Sequence, residues 1–277
     1  MESYIKCLIK ACQDIGLDYQ FLDREKNFVC IKLNGETLHF QINRTPFNSA
    51  VMAGICKDKE HAYLMFKNSI KMPNTIGFLD YTVEERYQKY LTYKSMQEII
   101  DRIEEAFSYP FVIKKNKGSF GINVFLCHNR GQAITSINTI FNKKSNQYDY
   151  IALAQDYIPY DKEYRLICFR GEAVLAYERL SDNSKFNARY WETGKGRAKH
   201  ETDQDIIDNL VSFVHPAFGV KGLEYIGFDI LKGKDGNYYL LELNSGPKYD
   251  HFIKWNGENA VVAMYKKILC RVLDETK

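Results

Sequence analysis

The chain lacks any Cys-x-x-Cys pair; its seven cysteines stand singly at positions 7, 12, 30, 56, 127, 168 and 270. An odd, scattered set makes neither a disulfide framework nor a zinc site, so the thiols read as reduced, several of them serving as small core residues. No apolar run approaches the ~18 residues of a membrane span. The start, Met1 to Cys7, lacks the basic flank and unbroken apolar core of a signal peptide. Charge of one sign is missing too: 38 basic and 35 acidic residues leave a net +3, which gives no electrostatic case for nucleic acid or an anionic membrane. The expectation is a cytoplasmic globular protein with no nucleic-acid and no membrane partner. Neither Gly-x-x-x-x-Gly-Lys-[Ser/Thr] nor a helix-opening Gly-x-Gly-x-x-Gly occurs, which excludes a P-loop and a Rossmann turn.

What is present is ample apolar material: 45% of 277 residues, with 20 Tyr and 17 Phe, enough for one large domain or two to three small lobes. Ile5, Leu8, Ile9, Cys12 and Ile15 recur at helical spacing over 4–16. Strand-like runs follow at 19–22, 28–33 and 38–42, the last two joined at Asn34-Gly35, a hairpin signal. Asp58 reads as the N-cap of a helix from Lys59 to Asn68. Residues 83–106 read as one charged helical stretch with no chemistry assigned. Further strands are expected at 151–158 and in a hairpin 163–179 turning at Gly171-Glu172, and helices from Asp203 and Asn259 onward. Residues 181–200 are polar and long for an unstructured connection, the mark of a functional loop.

Three stretches carry chemistry. Phe228 to Leu231 and Tyr238 to Asn244 flank a Gly-bearing turn, so they form a hairpin. Asp229 lies in its first strand, while Glu242 and Asn244, two apart, share a face of the second. Two carboxylates and an amide oxygen are hard ligands suited to Mg²⁺; ordinary solvated positions of a half-buried hairpin would look the same. Phe111 to Lys115, then Gly118-Ser119-Phe120-Gly121, then Asn123 to Leu126 read as strand, glycine loop, strand. Such a loop can lay backbone N–H groups over a polyphosphate, with Lys114 ending the strand close to it; a tight turn with surface lysines is the plain alternative. In the 163–179 hairpin Glu163 and Arg165 share one face, and Tyr177 and Arg179 share one face of the partner. The arginines serve either as cross-strand partners of carboxylates or as forks for a substrate carboxylate or phosphate.

In order, the strand lysine, the Gly-Ser-x-Gly loop, Gln155-Asp156-Tyr157-Ile158, the Glu-x-Arg hairpin, Phe-Asp-Ile and Leu-Glu-Leu-Asn resemble the ATP-grasp superfamily of carboxylate–amine ligases over roughly residues 50–275. Within it they are most similar to the branch of ribosomal-protein glutamate ligases, cyanophycin synthetase and bifunctional glutathione synthetases. Thr45 to Ala50 followed by Asp58-Lys59-Glu60 resembles the segment that enters the grasp in the latter two. The resemblance implies that Lys114 and Lys59 contact the α- and β-phosphates of ATP, and that Gly118, Ser119, Phe120 and Gly121 close over the β- and γ-phosphates. It implies that the backbone of Asp156, Tyr157 and Ile158 reads the adenine edge beside Gln155, with Asp161 or Glu163 near the ribose. Asp229, Glu242 and Asn244 would hold two Mg²⁺ ions, Mn²⁺ being able to substitute, and Arg165, Arg179 and Asn187 would orient the acyl substrate. Two departures stand out: Lys115 where the superfamily commonly has proline, and Asn123 at a usual glycine. His251 reads as a surface group or one behind the site.

The resulting expectation is an α+β ATP-grasp fold: a short N-terminal segment (1–72), a small lid lobe with the glycine loop (73–155) and a C-terminal lobe with the metal site (156–277). The function implied is amide formation between a carboxylate and an amine on an amino-acid or peptide substrate, with a homo-oligomer in keeping with the resemblance. Two other classes stay open: a small-molecule kinase of the same superfamily, and a non-catalytic nucleotide- or peptide-binding module.

Overall fold

The structure is a computed structural model that describes residues 1–181, 186 and 196–275. Its N-terminal helix α1 (Ser3–Ile15) buries Tyr4, Ile5, Leu8, Ile9 and Cys12 along one stripe and stops at Gly16, whose φ of 71° is the left-handed cap that glycine adopts without strain. Strands β1 (Tyr19–Phe21), β2 (Phe28–Leu33) and β3 (Glu36–Gln41) follow as an antiparallel sheet in that order. Asn34 and Gly35, at φ 42° and 87°, form the expected two-residue turn. Helix α2 (Ala50–Ile55) is capped by Ser49, and α3 (Lys59–Phe66) by Asp58, whose side chain accepts from His61 N at 3.0 Å.

A four-stranded antiparallel sheet of order β4-β7-β5-β6 comes next. It contains β4 (Thr75–Leu79), β5 (Phe111–Lys115), β6 (Val124–Cys127) and β7 (Ile151–Asp156). Between β4 and β5 run α4 (Glu85–Gln88) and α5 (Met96–Ala106), and α6 (Arg130–Ile140) follows β6. The continuous helix expected over 83–106 is therefore broken. Ser95 ends the break by accepting from Glu98 N, while the Glu98 carboxylate accepts from Lys94 N, a reciprocal cap that starts a new helix. Phe78, Ile99, Ile103, Phe111, Ile113, Ile137 and Ala154 pack this lobe.

The largest sheet has the order β10-β9-β8-β11-β12, antiparallel throughout. Its strands are β8 (Tyr160–Phe169), β9 (Glu172–Leu180), β10 (Arg197–His200), β11 (Tyr225–Gly233) and β12 (Tyr238–Asn244). The β8–β9 turn is Arg170-Gly171, at φ 49° and 84°, one residue earlier than expected. Strand β10 occupies the end of the stretch read as an irregular loop; most of the rest of that stretch lies outside the described residues. Helices α7 (Gln204–Val214), α8 (Asp250–Asn256) and α9 (Asn259–Glu275) complete the chain.

Alternation decides what each face of this sheet does. Leu166, Cys168, Ala176, Phe228 and Ile230 point to one side and pack with Met52, Phe66 and Leu210 from α2, α3 and α7. The other face is divided along its length. At one end Ile167, Phe169, Leu175 and Tyr225 lie under α1 and α9; at the other the same strands carry Glu163, Arg165, Arg179 and Asp229. The N-terminal helix and three-stranded sheet thus share a core with the apolar end of this same face of the large sheet.

Candidate active site

Antiparallel register lines up the charged end of the large sheet. Tyr177, Arg165, Asp229 and Glu242 stand directly opposite one another on β9, β8, β11 and β12. The neighbouring row holds Arg179, Glu163 and Leu231. Two bulges keep these parities: Val174 in β9 and Leu241 in β12 have no counterpart across the ladder. Gly227 is the neighbour that permits the packing, because a Cβ there would stand 2.8 Å from Pro247 Cβ and 3.4 Å from Arg165 Cδ.

Arg165 grips Asp229 with two parallel hydrogen bonds, Nε to Oδ1 and Nη2 to Oδ2 (2.7 Å). Arg179 Nη1 donates to Glu163 Oε1 at 2.8 Å and lies 3.3 Å from Asp229 Oδ2. Asn244 Nδ2 is 3.4 Å from the same oxygen. Asp229 and Arg165 are only 4% and 5% exposed. Burial alone would raise the Asp229 carboxyl, but the two guanidinium charges overcome it and hold it below the ordinary range. Glu242 is half-buried and meets Lys59 Nζ at 3.6 Å.

The two lysines differ. Lys59, the first residue of α3, donates to Gly118 O at 2.8 Å and lies 3.4 Å from Asn116 O, so it is the lysine that touches the glycine loop. Asn116 Oδ1 in turn accepts from Glu60 N at 2.9 Å and staples α3 to the end of β5. Lys114, expected close to the loop, instead sits at Gln155, donating to its Oε1 at 2.8 Å, while Gln155 Nε2 donates to Thr75 Oγ1 at 2.8 Å. Burial first, and the nearby Lys59 charge second, push the Lys114 ammonium down to about 7. In the loop Phe120, Gly121 and Asn123 are left-handed, at φ 60°, 66° and 56°, so Asn123 takes up a conformation that usually calls for glycine.

These groups line one cavity of about 1170 Å³. Gly118 to Gly121, Gln155, Asp156, Tyr157, Ile158, Asp161 and Glu163 border it as well. Asp156 N donates to Asn74 O at 3.0 Å, so its N–H is taken, while Asp156, Tyr157 and Ile158 all border the cavity. Sequence reasoning missed the apolar lining: Pro73, Val112, Leu231 and Leu241. Two of these were accessible by parity, since Val112 stands two before Lys114 and Leu231 two after Asp229. It also passed over Asn43 and Arg44, and gave Thr45 and Asn48 no function at this wall. Asn187 lies outside the described residues. His251 borders the cavity.

Among the described residues no three His, Cys, Asp or Glu side chains group to hold a metal ion. What Asp229, Glu242 and Asn244 offer is two carboxylates and an amide, a hard oxygen set that suits Mg²⁺ completed by phosphate oxygens. Asp229 would have to exchange part of its pairing with Arg165 to join it.

A family model described as a RimK-like ATP-grasp domain matches residues 57–268. The chain belongs to this family. A probable alpha-L-glutamate ligase of Histophilus somni (strain 2336) is 28% identical over 157 residues, 56% of this chain and 49% of that protein. The alpha-aminoadipate–LysW ligase LysX of Sulfurisphaera tokodaii is 22% identical over 215 residues, 77% of this chain and 67% of that protein. The chain thus spans about half to two thirds of the length of these relatives. Among solved structures, a D-alanine–D-alanine ligase from Bacillus anthracis complexed with ATP superposes with a TM-score of 0.56 at 17% identity, over 83% of this chain and 71% of that one. The fold is accordingly the α+β ATP-grasp fold, and ATP is the nucleotide of this family.

Proposed function

We propose that this RimK-like protein is an ATP-dependent ligase that joins a carboxylate of an amino acid or peptide to an amine, releasing ADP and phosphate. The observation that carries the reading is the composition of the cavity beside the large sheet. Two lysines and a glycine loop border one part of it; a row of Arg165, Asp229 and Glu242 borders the next. The naming of its relatives as glutamate and aminoadipate ligases supports the same class.

In this reading residues 73–155 form a lid over 156–277, with 1–72 leading into them. The adenine lies against Val112, Ile158, Leu231 and Leu241 and is met by the backbone of Tyr157 and Ile158, with Asp161 at the ribose. Lys59, Lys114 and the loop 118–121 hold the phosphates. Glu242, Asn244 and Asp229 hold Mg²⁺, which when bound neutralises phosphate oxygens. A substrate carboxylate oxygen attacks the γ-phosphorus and ADP leaves; the amine then attacks the acyl carbon of the acyl phosphate, and phosphate departs with the C–O electron pair. Arg179, steadied by Glu163, and Arg165 orient the carboxylate and stabilise the oxyanion formed on amine attack. Asn187 belongs to this set by resemblance alone. The loop excludes water, which would otherwise hydrolyse the acyl phosphate.

The test is to incubate the chain with ATP, Mg²⁺ and a panel of amino acids and dipeptides, following ADP, free phosphate and product mass. Free phosphate equal to ADP with a product lacking water relative to its parts is the expected result. Phosphate retained on the product would make the protein a kinase. No nucleotide turnover with any substrate would favour a binding module.

A further inference from the structure

We propose that Thr75 is a positioning residue for the nucleotide: through Gln155 it turns an amide oxygen toward Lys114 and so holds that lysine as the ammonium the phosphates need. The inference deepens the ligase reading and rests on its assignment of Lys114 to ATP. Antiparallel register gathers the parts on one face of the four-stranded sheet. Thr75 on β4 and Val112 on β5 both stand directly opposite Gln155 on β7, and Lys114 lies two residues beyond Val112. Val112, Lys114 and Gln155 border the cavity. Thr75 is one strand further back, buried behind them.

The hydrogen bonds across these strands run in one direction. Thr75 Oγ1 donates its hydrogen to Pro73 O at 2.9 Å, and a carbonyl can only accept. The hydroxyl therefore meets Gln155 as an acceptor and takes a hydrogen from its Nε2 at 2.8 Å. With its nitrogen held there, the amide presents Oε1 to Lys114 Nζ, also at 2.8 Å. Thr75, Gln155 and Lys114 are all buried, so a lost partner is not simply replaced by bulk water. The direction matters because a lysine nitrogen has a lone pair when neutral and none when charged. An amide oxygen suits the ammonium, whereas an amide N–H suits only the neutral amine. Two charged groups face Lys114. Lys59 from α3 opposes its charge; Glu242 from β12 favours it but makes no ion pair with it among the described residues. Burial and Lys59 already bring the ammonium down to about 7. The orientation of one amide then governs how much of it stays charged at neutral pH.

The test is the affinity of a non-hydrolysable ATP analogue at saturating Mg²⁺, measured by calorimetry at pH 6 and pH 8 for the parent, Thr75→Val, Thr75→Ser and Gln155→Glu. Thr75→Val frees the amide to turn its N–H toward Lys114. Lowering the lysine by about one pH unit should weaken binding about tenfold at pH 8 and only about twofold at pH 6. Thr75→Ser restores the hydroxyl and should bind within about twofold of the parent at both pH values. Gln155→Glu offers Lys114 an acceptor oxygen whichever way it turns, without touching the packing of Thr75. It should flatten the fall in affinity between pH 6 and pH 8. A Thr75→Val loss equal at the two pH values, or one that Thr75→Ser shares, makes Thr75 a packing residue and overturns the proposal. An unchanged pH dependence in Gln155→Glu overturns it as well. A parent chain that binds no analogue at either pH overturns the nucleotide reading beneath it.

Discussion

Two regions of one cavity solve the problem of buried charge in opposite ways. On the large sheet Arg165, Arg179, Asp229 and Glu163 neutralise one another through short, partly bidentate contacts. On the four-stranded sheet Lys114 is as deeply buried but, among the described residues, hydrogen-bonds only to an amide oxygen, and Lys59 donates mainly to carbonyls. The first arrangement is complete without a ligand and fixes the angle of each guanidinium. The second keeps positive charge in reserve, and burial drives Lys114 toward its neutral form until an anion arrives. In the proposed ligase, positioning would fall to the compensated half and nucleotide affinity to the uncompensated half.

The largest expected effect comes from the ligand side of the compensated half. Glu242→Gln should lower turnover by ~1000-fold or more, because Mg²⁺ loses a charged ligand, while a thermal melt stays close to that of the parent since Glu242 is half-buried. ADP release near the parent rate would remove Glu242 from the metal set. Next in size is the internal network. Arg165→Met leaves Asp229 buried with Arg179 as its remaining cation and should cost about 3–5 kcal/mol in urea unfolding. The double variant Arg165→Met, Asp229→Leu should recover most of that loss and remain inactive. A single variant as stable as the parent would show that the pair is not what holds these strands in register.

The smallest effect probes the uncompensated half by pH. Lys114 is lowered to about 7 in the folded chain and has the ordinary lysine value when unfolded. Below pH 7 both states hold the proton, and the buried charge penalises the fold in full. Between pH 7 and the ordinary lysine range the unfolded chain binds more protons, so stability rises with pH and the penalty fades. Lys114→Met should therefore stabilise the protein below pH 7 by a margin that shrinks steadily toward pH 10. A margin independent of pH would mean that Lys114 is charged throughout or exposed.

Much of this comparison was legible in the sequence, and the limit is physical. Local signals held: Asp58 caps α3, Asn34-Gly35 turns β2 into β3, and the parities of Glu163 with Arg165 and of Glu242 with Asn244 follow from the period of a strand. The Ser95-x-x-Glu98 cap was equally local but was read through as part of one helix. What could not be read was register between distant strands. Arg165 and Asp229 are 64 residues apart, and only the pairing of β8 with β11 puts them face to face. Lys114, expected close to the glycine loop, sits at Gln155 instead, and Lys59 makes the contact with Gly118 O. Which lysine reaches the loop depends on how α3 is stapled to Asn116, a contact 56 residues long.

The most direct test of the central claim is a calorimetric titration of the chain with a non-hydrolysable ATP analogue at pH 8, with and without Mg²⁺, in two buffers of different ionisation enthalpy. The account predicts Mg²⁺-dependent binding with proton uptake, as the phosphates draw a proton onto Lys114, and loss of that uptake in Lys114→Met. Binding without metal dependence or proton uptake, or no binding in either condition, would contradict it.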